Sequence, residues 1–313
     1  MRSGSLLLAS ALLLSCNGAN DDAHAGATTT GAGGAGSASS ALSSTSSWMQ
    51  HPEHTTPSAA FVPKATGTCP TLVDGKVTFA PAGIPARAVE LHLSAAADTM
   101  DGPLVFYWHG AGGSPTEATY ALGDAAVKEI LAMGGAVAAP YHDPEQSTLP
   151  WFLDTGERDD DLRLADEVLA CLLDQKGVDL RHVHSVGFSA GAIHTTQFAA
   201  RRSGYLASVV VYSGAQFGDP PLQDPENYYA AMLFHGGPDD VVIVNFQDEQ
   251  TKYQKWMSDH QRFSFLCDHG MGHTVPPDGR ASAWQFLEDH PFGVNPEPYA
   301  SALPQGFPSY CAL

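Results

Sequence analysis

Between residues 89 and 288 the chain alternates short apolar runs with longer stretches of three-and-four spacing, and that alternation limits the fold more than any other feature. Residues 89–93, 104–108, 136–139, 183–186, 209–212, 232–234 and 263–266 read as strands. Between them, 116–133, 159–176, 190–201 and 281–288 read as helices. In the second of these helices Leu162, Ala165, Val168, Leu169 and Leu172 fall on one face, aspartates fill the first turn, and Gly177 ends it. Strands so short and so apolar are buried on both sides, which predicts an α/β fold with a mostly parallel central sheet and helices on both faces. In such sheets ligands bind beyond the carboxyl ends of the strands, so those ends are where chemistry is expected.

The first sixty residues belong to something else. Arg2 followed by the apolar run 6–14 has the make-up of an export signal, too short for a spanning helix. Leu13-Leu14-Ser15-Cys16 resembles a bacterial lipobox, which makes Cys16 the lipidation residue and 1–15 the signal; Ala23-His24-Ala25 is the ordinary cleavage alternative. Residues 16–60 are dominated by Gly, Ala, Ser and Thr, bury too little apolar area to offset ordering, and read as a disordered tether. Residues 61–313 are then the folded α/β domain. The expected location is outside the cytoplasm, lipid-anchored to a bacterial membrane or secreted, with the lipid as the only membrane contact. A net charge of −19 repels phosphate backbones and argues against a nucleic-acid partner. In an oxidising compartment Cys69, Cys171, Cys267 and Cys311 can pair in three ways.

Four strand ends carry a matching set of residues. Gly187-Phe188-Ser189-Ala190-Gly191 lies between a strand and a helix, the setting of a nucleophile elbow that lifts a serine hydroxyl out of a tight turn. His109-Gly110-Ala111-Gly112-Gly113 follows the 104–108 strand and can aim a backbone N–H at a developing oxyanion, with the Ala190 N–H as the second donor. After strand 232–234 comes His235-Gly236-Gly237-Pro238-Asp239-Asp240, where either aspartate could hold a histidine in its productive tautomer. After strand 263–266 comes His269-Gly270-Met271-Gly272-His273, where one histidine is the expected base. The order Ser, Asp, His is that of the α/β-hydrolases.

Taken together, GFSAG, HGAGG, HGGPDDVV and DHGMGHTVP resemble the bacterial α/β-hydrolase esterases related to polyhydroxybutyrate depolymerases and feruloyl esterases, over roughly residues 70–290. The resemblance implies an α/β-hydrolase fold and a serine carboxylic-ester hydrolase. By the H-G-x-x-D pattern it places the acid on Asp239, and by G-x-G-H-T the base on His273, with His269 in support. The oxyanion donor after His-Gly falls on Ala111, and Met271 stands where the family usually has glycine. Only about twenty residues separate strands 209–212 and 232–234, too few for a large cap domain. If the strand order follows the family, Cys267 ends the edge strand and Cys171 packs toward the other half of the sheet, which implies the pairs Cys69–Cys171 and Cys267–Cys311.

The expected substrate is an aryl, acetyl or polyester-type ester, hydrolysed through an acyl-enzyme without metal or organic cofactor. Trp108, Trp151, Phe188 and Tyr212 are the candidate pocket aromatics. His182 and His184 share a strand face and could be read as a metal pair, but without a third ligand packing is the better account, as it is for His194. The competing functions are a serine peptidase of α/β-hydrolase type and a catalytically silent, lipid-tethered binding protein.

Overall fold

The computed structural model describes residues 61–146, 149–153 and 158–313. The expected signal, Cys16 and the tether lie outside the described residues. Among the described residues nine strands form one sheet: β1 (Gly75–Phe79), β2 (Arg87–His92), β3 (Gly102–Trp108), β4 (Ala136–Pro140), β5 (Val178–Phe188), β6 (Ser208–Tyr212), β7 (Ala230–His235), β8 (Ser264–Asp268) and β9 (Cys311–Ala312). Their spatial order is β1-β2-β4-β3-β5-β6-β7-β8-β9. From β4 to β8 all neighbours run parallel, while β1, β2 and β9 add antiparallel pairings at the two ends. This is the doubly covered parallel sheet that the apolar runs require.

Among the described residues six helices cover the sheet: α1 (Glu117–Leu122), α2 (Asp124–Ala132), α3 (Asp160–Gln175), α4 (Ala190–Arg201), α5 (Phe246–Asp259) and α6 (Arg280–Asp289). Alternation along each strand divides the core in two. Leu104, Phe106 and Trp108 of β3 join the apolar faces of α3, α4 and α5 on one side. Val105 and Tyr107 join those of α1, α2 and α6 on the other. Burying each large side chain in these layers contributes about 1.5–3 kcal/mol relative to leaving it in water.

Several elements depart from the sequence reading. The single helix expected over 116–133 is two, because Gly123 takes φ 86° and closes α1 before opening α2. Strand β5 is much longer than 183–186. Helix α5 was not anticipated. Its buried face is Phe246, Gln250, Tyr253 and Met257, and Gln250 interrupts the apolar pattern because its amide donates to the carbonyls of Val211 and Phe234 at the ends of β6 and β7. Asn245 caps this helix by accepting from the Asp248 N–H.

The cysteines pair as Cys69–Cys171 and Cys267–Cys311. Cys267 does not end an edge strand, however: the chain's tail adds β9 beside β8, in register Cys267 to Cys311. The first bridge ties the segment before β1 to α3, and the second ties the tail to β8. Bridges closing loops of this kind typically contribute about 2–4 kcal/mol. No helix among the described residues is long and apolar enough to cross a membrane.

Candidate active site

The end of β5 turns directly into α4 at Ser189, whose φ of 55° and ψ of −120° are sparsely allowed for a residue with a side chain. The turn is held by the Ser189 N–H donating to the Tyr212 carbonyl and by the Ile193 N–H donating to the Ser189 carbonyl. It closes only because its flanks are glycine. A Cβ on Gly191 would lie 1.8 Å from the Trp108 carbonyl oxygen, and one on Gly187 would lie 2.3 Å from the Gly191 carbonyl oxygen. The hydroxyl so raised meets His273: Ser189 Oγ donates to His273 Nε2 at 2.9 Å. The imidazole packs against two rings, tilted on Phe188 at 4.8 Å and stacked on Phe246 at 4.9 Å.

The other side of the imidazole corrects the acid assignment. His273 Nδ1 donates to Asp240 at 2.7 Å, not to Asp239. A short 3-10 turn, Gly237–Asp239, leaves Asp239 exposed and brings the next residue back under the sheet end. Asp240 is fully buried and also accepts from the Gly236 N–H at 2.9 Å and the Ser213 hydroxyl at 2.7 Å. Burial alone would raise its carboxyl, but the hydrogen bonds from His273, Gly236 and Ser213 outweigh burial and hold it below the usual carboxylate range. Ser213 itself stands at φ 51°, a second non-glycine residue in the left-handed region, with its N–H on the Phe234 carbonyl. Neither Ser213 as a carboxylate anchor nor Phe246 as a floor for His273 was drawn from the sequence. The φ of Ser213 and the turn into α5 are set by packing, and no local motif marks them.

His269 does not reach the serine. Its backbone N–H donates to the His235 carbonyl and its Nδ1 accepts from the Met271 N–H, so it shapes the loop that carries His273. Burial lowers the pKa of both His269 and His235. Met271 is half exposed on that loop.

The turn after β3 lies against the elbow, since a Cβ on Gly110 would fall 3.3 Å from the Ser189 Cβ. Among the described residues nothing accepts from the Ala111 N–H, and Ala190 sits at the head of α4. Three of the four candidate pocket aromatics are elsewhere. Trp108 is fully buried, with its ring 4.2 Å from His194 and 5.0 Å from Trp151 and its indole N–H on the Ser185 hydroxyl. Trp151 is buried and donates to the His109 carbonyl at 2.8 Å. Tyr212 is buried and stacked on Phe234. Their side chains complete the core layers beneath the strand ends, and of the four candidates it is the Phe188 ring that lies against His273. His182 pairs with Asp179 and His184 with Ser208. Among the described residues no group of three or more His, Cys, Asp or Glu could hold a metal ion.

Comparison with solved structures agrees with this architecture. A serine-to-alanine variant of pOPH, in complex with pNPB, superposes with a TM-score of 0.65 at 16% identity, over 80% of this chain and 96% of that one. A thermostable esterase gives 0.55 at 18% identity, over 69% and 62% of the two chains. A ferulic acid esterase gives 0.52 at 14% identity, over 68% and 95%. The fold is an α/β-hydrolase fold. The resemblance carried by the four motifs therefore holds at the level of the whole sheet. No protein-family model and no curated protein matches the chain.

Proposed function

We propose that this chain is an exported serine carboxylic-ester hydrolase, with Ser189 as nucleophile, His273 as base and Asp240 as the acid that holds it. The observation that carries the reading is the unbroken relay from Ser189 Oγ to His273 Nε2 at 2.9 Å and from His273 Nδ1 to the buried Asp240 at 2.7 Å. A carboxylate acceptor at Nδ1 leaves Nε2 unprotonated and facing the hydroxyl, the tautomer a general base needs.

In this mechanism Ser189 Oγ attacks the ester carbonyl carbon while its proton passes to His273 Nε2. The carbonyl oxygen, now an oxyanion, is held by the N–H groups of Ala111 and Ala190. Collapse breaks the carbon–oxygen bond to the alcohol, which leaves with the proton from His273. Water then attacks the acyl-serine, giving a proton to the same nitrogen, and the acid departs as Ser189 recovers its hydrogen. Asp240 stays ionised throughout and stabilises the imidazolium.

The rim favours uncharged, apolar esters. Val241, Val242 and Ile243 just after Asp240, and Met271 just before His273, expose large apolar side chains. A chain of net charge −19 repels anionic substrates. We also read residues 1–15 as the export signal, Cys16 as the lipid attachment point and 16–60 as the tether, a location with which the two disulfides agree. Mass spectrometry of the exported protein's N-terminal peptide tests that assignment, and an unmodified Cys16 within a longer chain overturns it.

The functional test is a fluorophosphonate, with p-nitrophenyl acyl esters, methyl ferulate and polyhydroxybutyrate as substrates. Labelling at Ser189 and loss of hydrolysis in Ser189→Ala are expected; full activity in the alanine variant overturns the proposal.

A further inference from the structure

Resting on the esterase reading above, we infer that Glu117 is a positioning residue for the oxyanion turn: its carboxylate fixes the Gly110 amide so that the neighbouring Ala111 N–H points into the site. The turn is pinned at consecutive peptide groups. The His109 carbonyl accepts from the Trp151 indole N–H at 2.8 Å. The Gly110 N–H donates to Glu117 Oε2 at 2.8 Å, and the same oxygen accepts from the Tyr107 hydroxyl at 3.0 Å. The Gly110 carbonyl accepts from the Gly113 N–H at 3.0 Å and from His109 Nδ1 at 2.8 Å.

A peptide group is planar, with its C=O and the following N–H pointing in opposite directions. Holding the Gly110 carbonyl on one side therefore sets the direction of the Ala111 N–H on the other. The Gly110 N–H is committed to Glu117 and the Gly113 N–H to the Gly110 carbonyl, while the Ala111 N–H meets no acceptor among the described residues. His109 takes part as a neutral ring. Burial lowers its pKa to about 4, and since a carbonyl only accepts, Nδ1 carries the proton while Nε2 faces His142 Nδ1 at 3.3 Å. The turn also wraps the carboxylate from the other side, where a Cβ on Gly113 would fall 3.2 Å from Glu117 Oε1. Burial raises the Glu117 carboxyl, opposed by the hydrogen bonds from Gly110 and Tyr107. A half-buried carboxylate held there against burial belongs to the turn rather than to solvent.

A rival role exists for the same residue. The Glu117 charge also acts on His273 through space. Two substitutions separate the roles. Glu117→Gln removes the charge but keeps an oxygen to accept from the Gly110 N–H. Glu117→Asp keeps the charge but, one methylene shorter, withdraws the oxygen from Gly110.

The experiment measures kcat and KM of the full chain on a p-nitrophenyl ester, together with inhibition by phenylboronic acid. The tetrahedral boronate adduct on Ser189 puts an oxygen where the oxyanion forms. Glu117→Asp is expected to lower kcat at least about tenfold, short of the roughly 10²–10³-fold cost of deleting a whole donor, with KM within about twofold. Boronate affinity should fall in parallel, and Glu117→Gln should stay within about threefold of the parent on all three measures. Trp151→Phe, which removes a different pin from the same turn, is expected to lower kcat about three- to tenfold and supplies the test if the aspartate variant does not fold. The opposite order, with glutamine impaired and aspartate normal, overturns the inference in favour of the charge role. So does unchanged kcat in Glu117→Asp, or a loss of kcat that follows the melting temperature while boronate affinity per folded molecule is unchanged. These outcomes presuppose an active parent. A parent chain that neither hydrolyses esters nor is labelled at Ser189 overturns the functional reading, and this inference with it.

Discussion

The elbow at 187–191 and the acid turn at 235–240 reach the same imidazole in opposite ways. In the elbow every position is fixed by its neighbours. Gly187 and Gly191 leave room for one backbone path, because a Cβ on Gly187 would lie 2.3 Å from the Gly191 carbonyl oxygen, and that path lifts Ser189. In the acid turn two identical side chains stand side by side. Asp239 faces water, while Asp240 accepts from residues 27 and 33 positions away, Ser213 and His273. A tight turn names its functional residue through sterics within five residues. A loop names it only through distant partners.

The sharpest way to break this contrast is to exchange the roles of the two aspartates. Asp240→Asn should lower kcat on the order of 10⁴-fold, since an amide at this position no longer fixes the base tautomer. Asp239→Asn should change kcat less than about threefold; steady-state kinetics on a p-nitrophenyl ester decide it, and the reverse ranking would return the acid to Asp239. In the companion loop His273→Ala should eliminate measurable turnover and His269→Ala should reduce it only in part, because His269 touches the loop and not the serine.

On the elbow side, Gly191→Ala should destabilise the fold by on the order of 3 kcal/mol or more, read as a lowered denaturant midpoint. Backbone on backbone is the contact that must give, and overpacking of this kind has no flexible side chain to absorb it. An alanine variant with an unchanged midpoint would show the elbow to be less constrained than its geometry.

The smallest expected effect sharpens the acid side. Ser213→Ala removes one of the bonds that hold the Asp240 carboxyl down and should cost about 1 kcal/mol at neutral pH. A carboxyl whose folded pKa is lowered contributes stability that is complete above its unfolded pKa and disappears as pH falls through the folded one. The gap between parent and variant in urea titrations should therefore close as the solution is acidified through that range. A gap that widens in acid would contradict the role given to Ser213.

Much of this molecule was legible because the signals act over short distances. Apolar runs marked the central strands, and α4 begins and ends where its spacing and the elbow predicted, at Ala190–Arg201. The Cys69–Cys171 and Cys267–Cys311 pairs followed from the order of strands that the motif resemblance implied. Elements that rest on distant contacts were missed. Strand β9 exists only because the tail pairs with β8, and α5 hides its buried face behind Gln250, whose amide serves the carbonyls of two strands. Trp108 reads equally well as pocket or core and Trp151 and Tyr212 read rather as pocket, but burial makes all three core.

By itself the sequence determined the strand–helix alternation, the place of Ser189 and the four strand ends where chemistry would gather. Periodicity and steric exclusion are properties of adjacent residues, so these were settled locally. Only the tertiary structure set Asp240 rather than Asp239 against His273, packed Phe188 and Phe246 on its ring, and set Glu117 against the Gly110 amide. Chemically equal side chains differ only in the partners they meet, and those partners are brought together by the order in which the strands pack into one sheet.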